Sequence, residues 1–332
     1  MLLLFRGAEH TPAGRLSWFR SGVGSEIGMA GLLPSRPIPV EIPFLHRHRP
    51  RYFHFSGDLN TEHHVRALRF YKAVPGGNPT ILVLDPVSPA ERAGIARTLM
   101  DAGHIQAEQV GFLDLDARPV RLNMMGGEFC GNASRATAAV MAREGAGLAP
   151  CRDGLRGELS VSGADAPVAV MVEESGECWA EMPMPDLAGD GAPELEPGIA
   201  VVRVPGITHL LLDENRHAFP ADFAGAAAAL RERFGLDGEA VGCIWYRTEP
   251  FCAIRPVVWV RSTASTHYET GCGSGSLALA LWLGHGKKFP MDLQIMQPSG
   301  NPIGVRIDAG EHGPRAWIHG PVALVARGEA YV

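Results

Sequence analysis

One short pattern occurs twice in this 332-residue chain and constrains the fold more than any other feature. Cys130-Gly131-Asn132-Ala133-Ser134 opens the run from Arg135 to Gly145, where small residues hold most positions. Cys272-Gly273-Ser274-Gly275-Ser276 opens Leu277 to Gly286, which is apolar nearly all round. Both runs are about ten residues long and end at glycine, a common helix stop. A helix that is apolar on every face has to be enclosed by protein. The echo therefore predicts two pseudo-repeat halves, each a mostly antiparallel sheet wrapped around one central apolar helix with a cysteine at its amino end.

The rest of the chain fits such an α+β architecture rather than a regular alternation of strand and helix. Arg69–Ala73, the loop Pro75-Gly76-Gly77-Asn78-Pro79 and Thr80–Asp85 read as strand, tight loop and strand. Pro89–Ala102 reads as a helix, and strands are expected at Val110–Leu115, Val120–Asn123, Leu155–Ser162, Val168–Glu173 and Cys178–Met182. Residues 183–198, rich in Pro, Gly and Asp, read as a linker. Strands follow at Ala200–Pro205, His209–Asp213, Ala240–Arg247, Phe251–Val260, Leu293–Met296, Ile303–Ile307 and Ala316–His319, with an Ala-rich helix over Phe219–Phe234. The expected division is an N-terminal extension over 1–66, a first catalytic half over 67–190 plus 320–332, and a second over 195–319. Six histidines lie in the extension, five of them between His46 and His64. Without a sustained period around them they read as residues of a loosely docked segment rather than as metal ligands.

Composition removes several classes of function. A formal net charge of −6 leaves no basic footprint for nucleic acid. No stretch approaches the roughly 20 apolar residues that span a bilayer, and the Leu run near Met1 is too brief for a signal peptide. The cytoplasm is the expected location. Six cysteines without a CxxC pair point away from a disulfide scaffold or a zinc site. Only three lysines occur, Lys72, Lys287 and Lys288, and none has a setting suited to a pyridoxal phosphate aldimine. Glycine-rich dinucleotide and phosphate loops are absent too, so no cofactor is expected.

Chemistry then falls to the repeated cysteines. The open N–H groups and dipole of a helix amino terminus favour negative charge, and are expected to lower a thiol's pKa toward neutrality. The same N–H groups, exposed by Gly131 and Gly273 with small neighbours, can hold a carboxylate. Two such helix ends facing each other would flank an amino acid with two thiols. One thiolate would remove the α-proton from one face while the opposite thiol returns a proton to the other.

These motifs resemble those of the diaminopimelate epimerase family, in which cysteines stand in C-G-N-G/A and C-G-S/T-G. The likeness runs from about Arg69 to Val332. It includes Phe70-Tyr71-Lys72 with Gly76-Gly77-Asn78, Gln297-Pro298-Ser299-Gly300 and Ile318-His319-Gly320-Pro321-Val322. The resemblance implies a cofactor-independent amino-acid racemase or epimerase with its site in a cleft between two halves. Cys130 and Cys272 would be the acid/base pair and His209 the residue supporting one thiol. Asn78, Asn123, Gly131, Asn132, Gly273 and Ser274 would contact the substrate. A small amino acid is the implied partner, with a homodimer left open.

Departures from the family bear on the substrate. Ile207 stands where diaminopimelate epimerases carry Asn, a second Asn is replaced around Ala240, and Val260-Arg261 replaces a Glu-Arg pair. Each unmade hydrogen bond to a buried polar group of the distal end would cost roughly 1–3 kcal/mol. The reacting centre is thus kept while the distal grip is altered, which points to a less polar or aromatic side chain. Glu269, three residues before Cys272, is the carboxylate placed to orient that thiol or hold the substrate's amino group. Gly126-Gly127-Glu128-Phe129-Cys130 resembles the same segment of family members that racemise histidine, with Glu128 a further polar contact. Three other readings stay open: a true diaminopimelate epimerase, a proline-type racemase, and a non-catalytic relative that binds an amino acid.

Overall fold

A computed structural model of the protein describes residues 65–185, 193–261, 264–285, 289–310 and 313–332. All but the last two residues of the expected N-terminal extension, with its six histidines, and Gly286, Lys287 and Lys288 lie outside the described residues.

The first part of the chain forms β1 (Ala67–Val74), β2 (Thr80–Val83), α1 (Pro89–Met100), β3 (Gln109–Asp114), β4 (Val120–Met124) and α2 (Gly131–Glu144). A meander follows: β5 (Leu148–Cys151), β6 (Gly154–Val161), β7 (Val168–Glu173) and β8 (Glu177–Met182). Next come β9 (Glu194–Glu196), β10 (Ile199–Val204), β11 (Ile207–Asp213), α3 (Phe223–Arg233), β12 (Ala240–Arg247), β13 (Ala253–Val260) and β14 (Ser265–Tyr268). The chain closes with α4 (Gly273–Gly284), β15 (Met291–Met296), β16 (Pro302–Gly310), β17 (Gly313–Pro321) and β18 (Ala323–Tyr331). The fold is mixed α+β, with four helices on one continuous sheet among the described residues.

Pairing is antiparallel except for β2–β3, β4–β6, β11–β12 and a single parallel bridge between β13 and β15. The chain returns at its end, where β18 pairs with β1 over Tyr331 to Ala323. Four strands were not expected: β5, β9, β14 and β18. Each is short or largely exposed, so no buried alternation marks it. β9 falls in the expected linker, where pairing to β10 overrides the local Pro/Gly composition. The Ala-rich helix begins at Phe223 rather than Phe219, because Pro220 and the capping Asp222, which accepts from Gly225 N–H, set its start.

Helices α2 and α4 are enclosed as their composition requires. α2 packs against β1, β2, β6, β7, β8, β17 and β18, and α4 against β10–β13 and β15–β17. Ala133, Ala136, Val140 and Met141 of α2 are fully buried, as are Leu277, Ala278, Leu279 and Ala280 of α4. All eight belong to one apolar cluster, and smaller clusters lie under α1 and α3. Each buried leucine contributes about 1.5–3 kcal/mol by leaving water. α2 ends at Gly145 in the left-handed conformation, the expected glycine stop; α4 is capped at His285 with ordinary negative φ, and its expected stop, Gly286, lies outside the described residues.

Candidate active site

Cys130 and Cys272 are the N-caps of α2 and α4, both in extended conformation. Each sulfur accepts the N–H three residues on: Ala133 to Cys130 at 3.4 Å and Gly275 to Cys272 at 3.3 Å. Sulfur is a poorer acceptor than the oxygen of the usual capping residues, so a thiol here serves something other than helix stability. The serine of each motif turns back on its cysteine: Ser134 Oγ donates to Cys130 C=O at 2.8 Å, and Ser276 Oγ to Cys272 C=O at 2.7 Å. Among the described residues, no hydrogen bond uses the N–H of Gly131, Asn132, Gly273 or Ser274. Each helix therefore presents two open donors next to its thiol.

The two helix starts are held together. Cβ atoms added at Gly131 and Gly273 would each meet Ile318 Cδ1, at 2.6 and 2.8 Å. One β17 side chain thus separates the two motifs, and larger residues there would push the helices apart. Asn132 Nδ2 donates to Gly271 C=O at 3.0 Å, while its Oδ1 accepts from Arg135 at 3.0 Å. Glu108 fastens the glycine loop to the segment before Cys272. It accepts from Asn78 Nδ2 at 3.0 Å and from Thr270 Oγ1 at 2.5 Å. Gly77, at φ +112°, lies so close to Thr270 C=O that no side chain fits. Two buried glutamines complete the frame: Gln109 Oε1 accepts from the Cys130 thiol at 3.1 Å, and Gln297 Oε1 from Cys272 N–H at 2.9 Å.

Electrostatics reverses one expectation. Burial pushes the Cys130 thiol up to about 11, against the helix N–H of Ala133 that favours the thiolate; Glu128 and Glu269 add to the rise. Burial raises Cys272 well above the ordinary thiol value, and Glu269 again adds to it. The helix-end effect is present but desolvation and the carboxylates outweigh it, so both thiols are protonated at neutral pH. Glu269 itself is raised to about 7, first by burial and further by the charge of Glu108, although its hydrogen bond with the Cys272 thiol opposes the rise. One carboxylate therefore acts on both sulfurs.

The remaining candidates divide. Glu128 is exposed two residues before Cys130; desolvation raises its pKa, against the backbone N–H groups of Glu128 and Gly126, which oppose the rise. Asn78 is buried, at φ +54°, but its amide nitrogen is engaged by Glu108. The Asn132 side chain has both polar atoms engaged within the protein, leaving its backbone N–H as the open group. Asn123 pairs with Phe112 on the face of β4 opposite Leu122 and Met124, which belong to the cluster around α2. Strand alternation thus turns Asn123 from that cluster, and no side-chain hydrogen bond of Asn123 is found. His209 is fully buried against Gly242, neither ring nitrogen has a partner, and desolvation lowers its pKa to about 3. It makes no hydrogen bond to either thiol. Glu108, Gln109, Thr270, Gln297 and Arg135 form the frame without having been singled out for it. Only the position of Gln297 in the Gln-Pro-Ser-Gly segment offered a signal.

Among the described residues no group of three or more His, Cys, Asp or Glu is placed to hold a metal ion, and no helix is long and apolar enough to cross a membrane. Two cavities of about 560 and 260 Å³ lie beside Trp259 and Tyr268, and neither is lined by Cys130 or Cys272.

Comparison with known proteins adds to this geometry. A family model described as the histidine racemase CntK N-terminal domain matches residues 67–331. The histidine racemase of Fusobacterium nucleatum is 28% identical over 275 residues, covering 81% of this chain and 98% of the relative. A crystal structure of a hydroxyproline epimerase from Agrobacterium vitis with bound trans-4-hydroxy-L-proline aligns with a TM-score of 0.57 at 13% identity. The alignment covers 80% of this chain and 93% of that one. A Bacillus anthracis phenazine biosynthesis protein of the PhzF family also gives 0.57, at 14% identity, over 81% and 99%. At such identities the structural likeness shows the fold.

Proposed function

The chain belongs to the family of the histidine racemase CntK N-terminal domain and is an isomerase of the racemase type, and from that premise we propose that it inverts the α-carbon of histidine by proton transfer between Cys130 and Cys272. The observation that carries this reading is the joining of the two cysteine-capped helix starts: Ile318 Cδ1 lies against both Gly131 and Gly273, and Asn132 Nδ2 donates to Gly271 C=O at 3.0 Å. The charge of Glu269 raises the pKa of both thiols, which supports the same reading. The family and the named relatives favour histidine. The sequence adds Ile207 and Ala240 where diaminopimelate would need polar partners.

In the proposed reaction the substrate carboxylate lies against the N–H groups of Gly131, Asn132, Gly273 and Ser274. Glu269, ionised above about pH 7, accepts the Cys272 proton, and the substrate ammonium stabilises the thiolate. That thiolate takes the α-proton: the C–H bond breaks and an S–H bond forms. The thiol of Cys130 then gives its proton to the opposite face, so its S–H breaks as the new C–H forms. The reverse direction exchanges the roles of the sulfurs. No cofactor takes part. The thiols titrate as a coupled pair once substrate is bound.

Two pseudo-repeat halves, residues 67–190 with 320–332 and residues 195–319, each centred on α2 or α4, are the arrangement that supports this symmetry. The matching caps and serine back-bonds of the motifs support it. A cytoplasmic location belongs to the same proposal.

The test is incubation of the reduced protein in heavy water with a panel of L-amino acids, including histidine and diaminopimelate, followed by NMR of the α-proton. Loss of the histidine signal with appearance of the D-enantiomer is expected. Exchange of diaminopimelate alone would assign the alternative epimerase. A ligand that raises the melting temperature with no α-proton exchange would assign a binding protein instead.

A further inference from the structure

Arg135, five residues after Cys130, has no solvent exposure at all. Its Nη2 donates to Pro75 C=O at 2.6 Å and to Asn132 Oδ1 at 3.0 Å, while Nε and Nη1 have no partner among the described residues. Burial lowers its pKa to about 10, so it stays charged at neutral pH. A guanidinium is seldom buried without a carboxylate. None bonds to this one. The anion-forming groups that act on it are the thiols of Cys178 and Cys130 and the carboxylate of Glu177. Two glycines line it, and only Gly320 lies so close that a side chain would crowd it. A Cβ at Gly320 would stand 3.1 Å from Nη1, and one at Gly76 would stand 3.9 Å from Nη2. Both have positive φ, +144° and +78°.

The hydrogen bonds form a line. It runs from Pro75 in the glycine loop through Arg135 to Asn132 Oδ1, and from Asn132 Nδ2 to Gly271, the residue before Cys272. We infer that Arg135 is a positioning residue for proton transfer: it holds the segments bearing the two thiols in register, and its charge favours the thiolate of Cys130. The groups facing Cys130 are Glu128 from its own segment, Gln109 from β3 and Glu269 from the segment before α4. Those facing Arg135 are Glu177 and Cys178 from β8. Arg135 is the cation set against these acidic groups. The register role rests on the racemase reading; the charge role does not.

The experiment uses the full chain with Arg135→Met and Arg135→Lys, and reads two quantities. The first is iodoacetamide alkylation of Cys130 at pH 8.5, resolved by peptide mass spectrometry. The second is histidine α-proton exchange. Arg135→Met is expected to slow alkylation about tenfold, the equivalent of one unit in the thiol's pKa, and to slow exchange at least as much. Arg135→Lys keeps the charge, so alkylation stays within about twofold of wild type. One ammonium cannot reproduce the fork, so its exchange slows about tenfold or more.

Unchanged alkylation in Arg135→Met would overturn the electrostatic role, and wild-type exchange in Arg135→Lys would overturn the positioning role. Should Arg135→Met fail to fold, Arg135→Gln carries the same alkylation test. Alkylation needs no substrate. A wild-type protein that exchanges no amino acid would therefore overturn the racemase reading and leave the charge assignment to stand or fall on alkylation alone.

Discussion

The side-chain amide of Asn132 donates to the carbonyl of Gly271 at 3.0 Å, so the first turn of the helix capped by Cys130 is tied to the residue just before Cys272. The two motifs lie far apart in the chain, yet one hydrogen bond and one shared neighbour, Ile318, fix their separation. A reaction that passes a proton across one carbon atom depends on such a separation, because rate falls steeply with misplacement of the reacting groups.

Asn132→Ala removes this tie and leaves Gly271 C=O and one face of Arg135 without a partner. A stability loss of about 1–3 kcal/mol is expected, read by urea titration. Racemisation should fall about tenfold or more at saturating substrate, since the loss is one of geometry rather than of contact with the substrate.

Glu269 places stability and activity in opposition. Its pKa is raised to about 7 in the fold, so the folded state holds its proton more tightly than the unfolded chain does. Stability from this group is full below about pH 4.5 and is lost as pH rises through 7. Glu269→Gln removes that loss. The residue is partly exposed, which reduces the effect to on the order of 1–2 kcal/mol at pH 8. Thermal melts should show the variant more stable than wild type at pH 8 and equal to it near pH 4. Its exchange activity should collapse, and the rise in wild-type rate through pH 7 should disappear with it.

His209 has the opposite sign. Its folded pKa is lowered to about 3, so its stabilising effect is present above the unfolded value near 6.5 and is lost as pH falls toward 3. The protein should lose on the order of 2 kcal/mol between pH 6.5 and pH 5. Denaturant titrations of His209→Leu should show that slope removed. A slope unchanged in the variant would assign the loss to other groups.

The cysteine-capped helices were legible because periodicity and composition are local. Cys-Gly followed by small residues and an apolar run can only be a buried helix with its start exposed to chemistry. What the sequence hid was long-range. Glu108 and Gln109 open a strand with no motif around them, and they matter only because the fold brings Thr270 and Cys130 alongside. In the sequence Arg135 only begins a run of small residues. Its burial is shaped by Gly320, far away in the chain. The thiol pKa values failed for the same reason. A helix terminus can be read from five residues, whereas desolvation is a property of everything packed around them. Asn78 and Asn132 both lie in the frame that joins the two cysteine segments. Their side chains serve the frame because their hydrogen-bonding partners lie in other segments.

The central claim is that two thiols, not one, move the proton. Racemisation of L- and D-histidine by Cys130→Ser and by Cys272→Ser, followed by a chiral assay beside wild type, tests it most directly. Both variants are expected to lose inversion by about a thousandfold or more, with a residual single-face exchange into heavy water allowed for the retained thiol. Full inversion by either single variant would contradict the two-thiol mechanism.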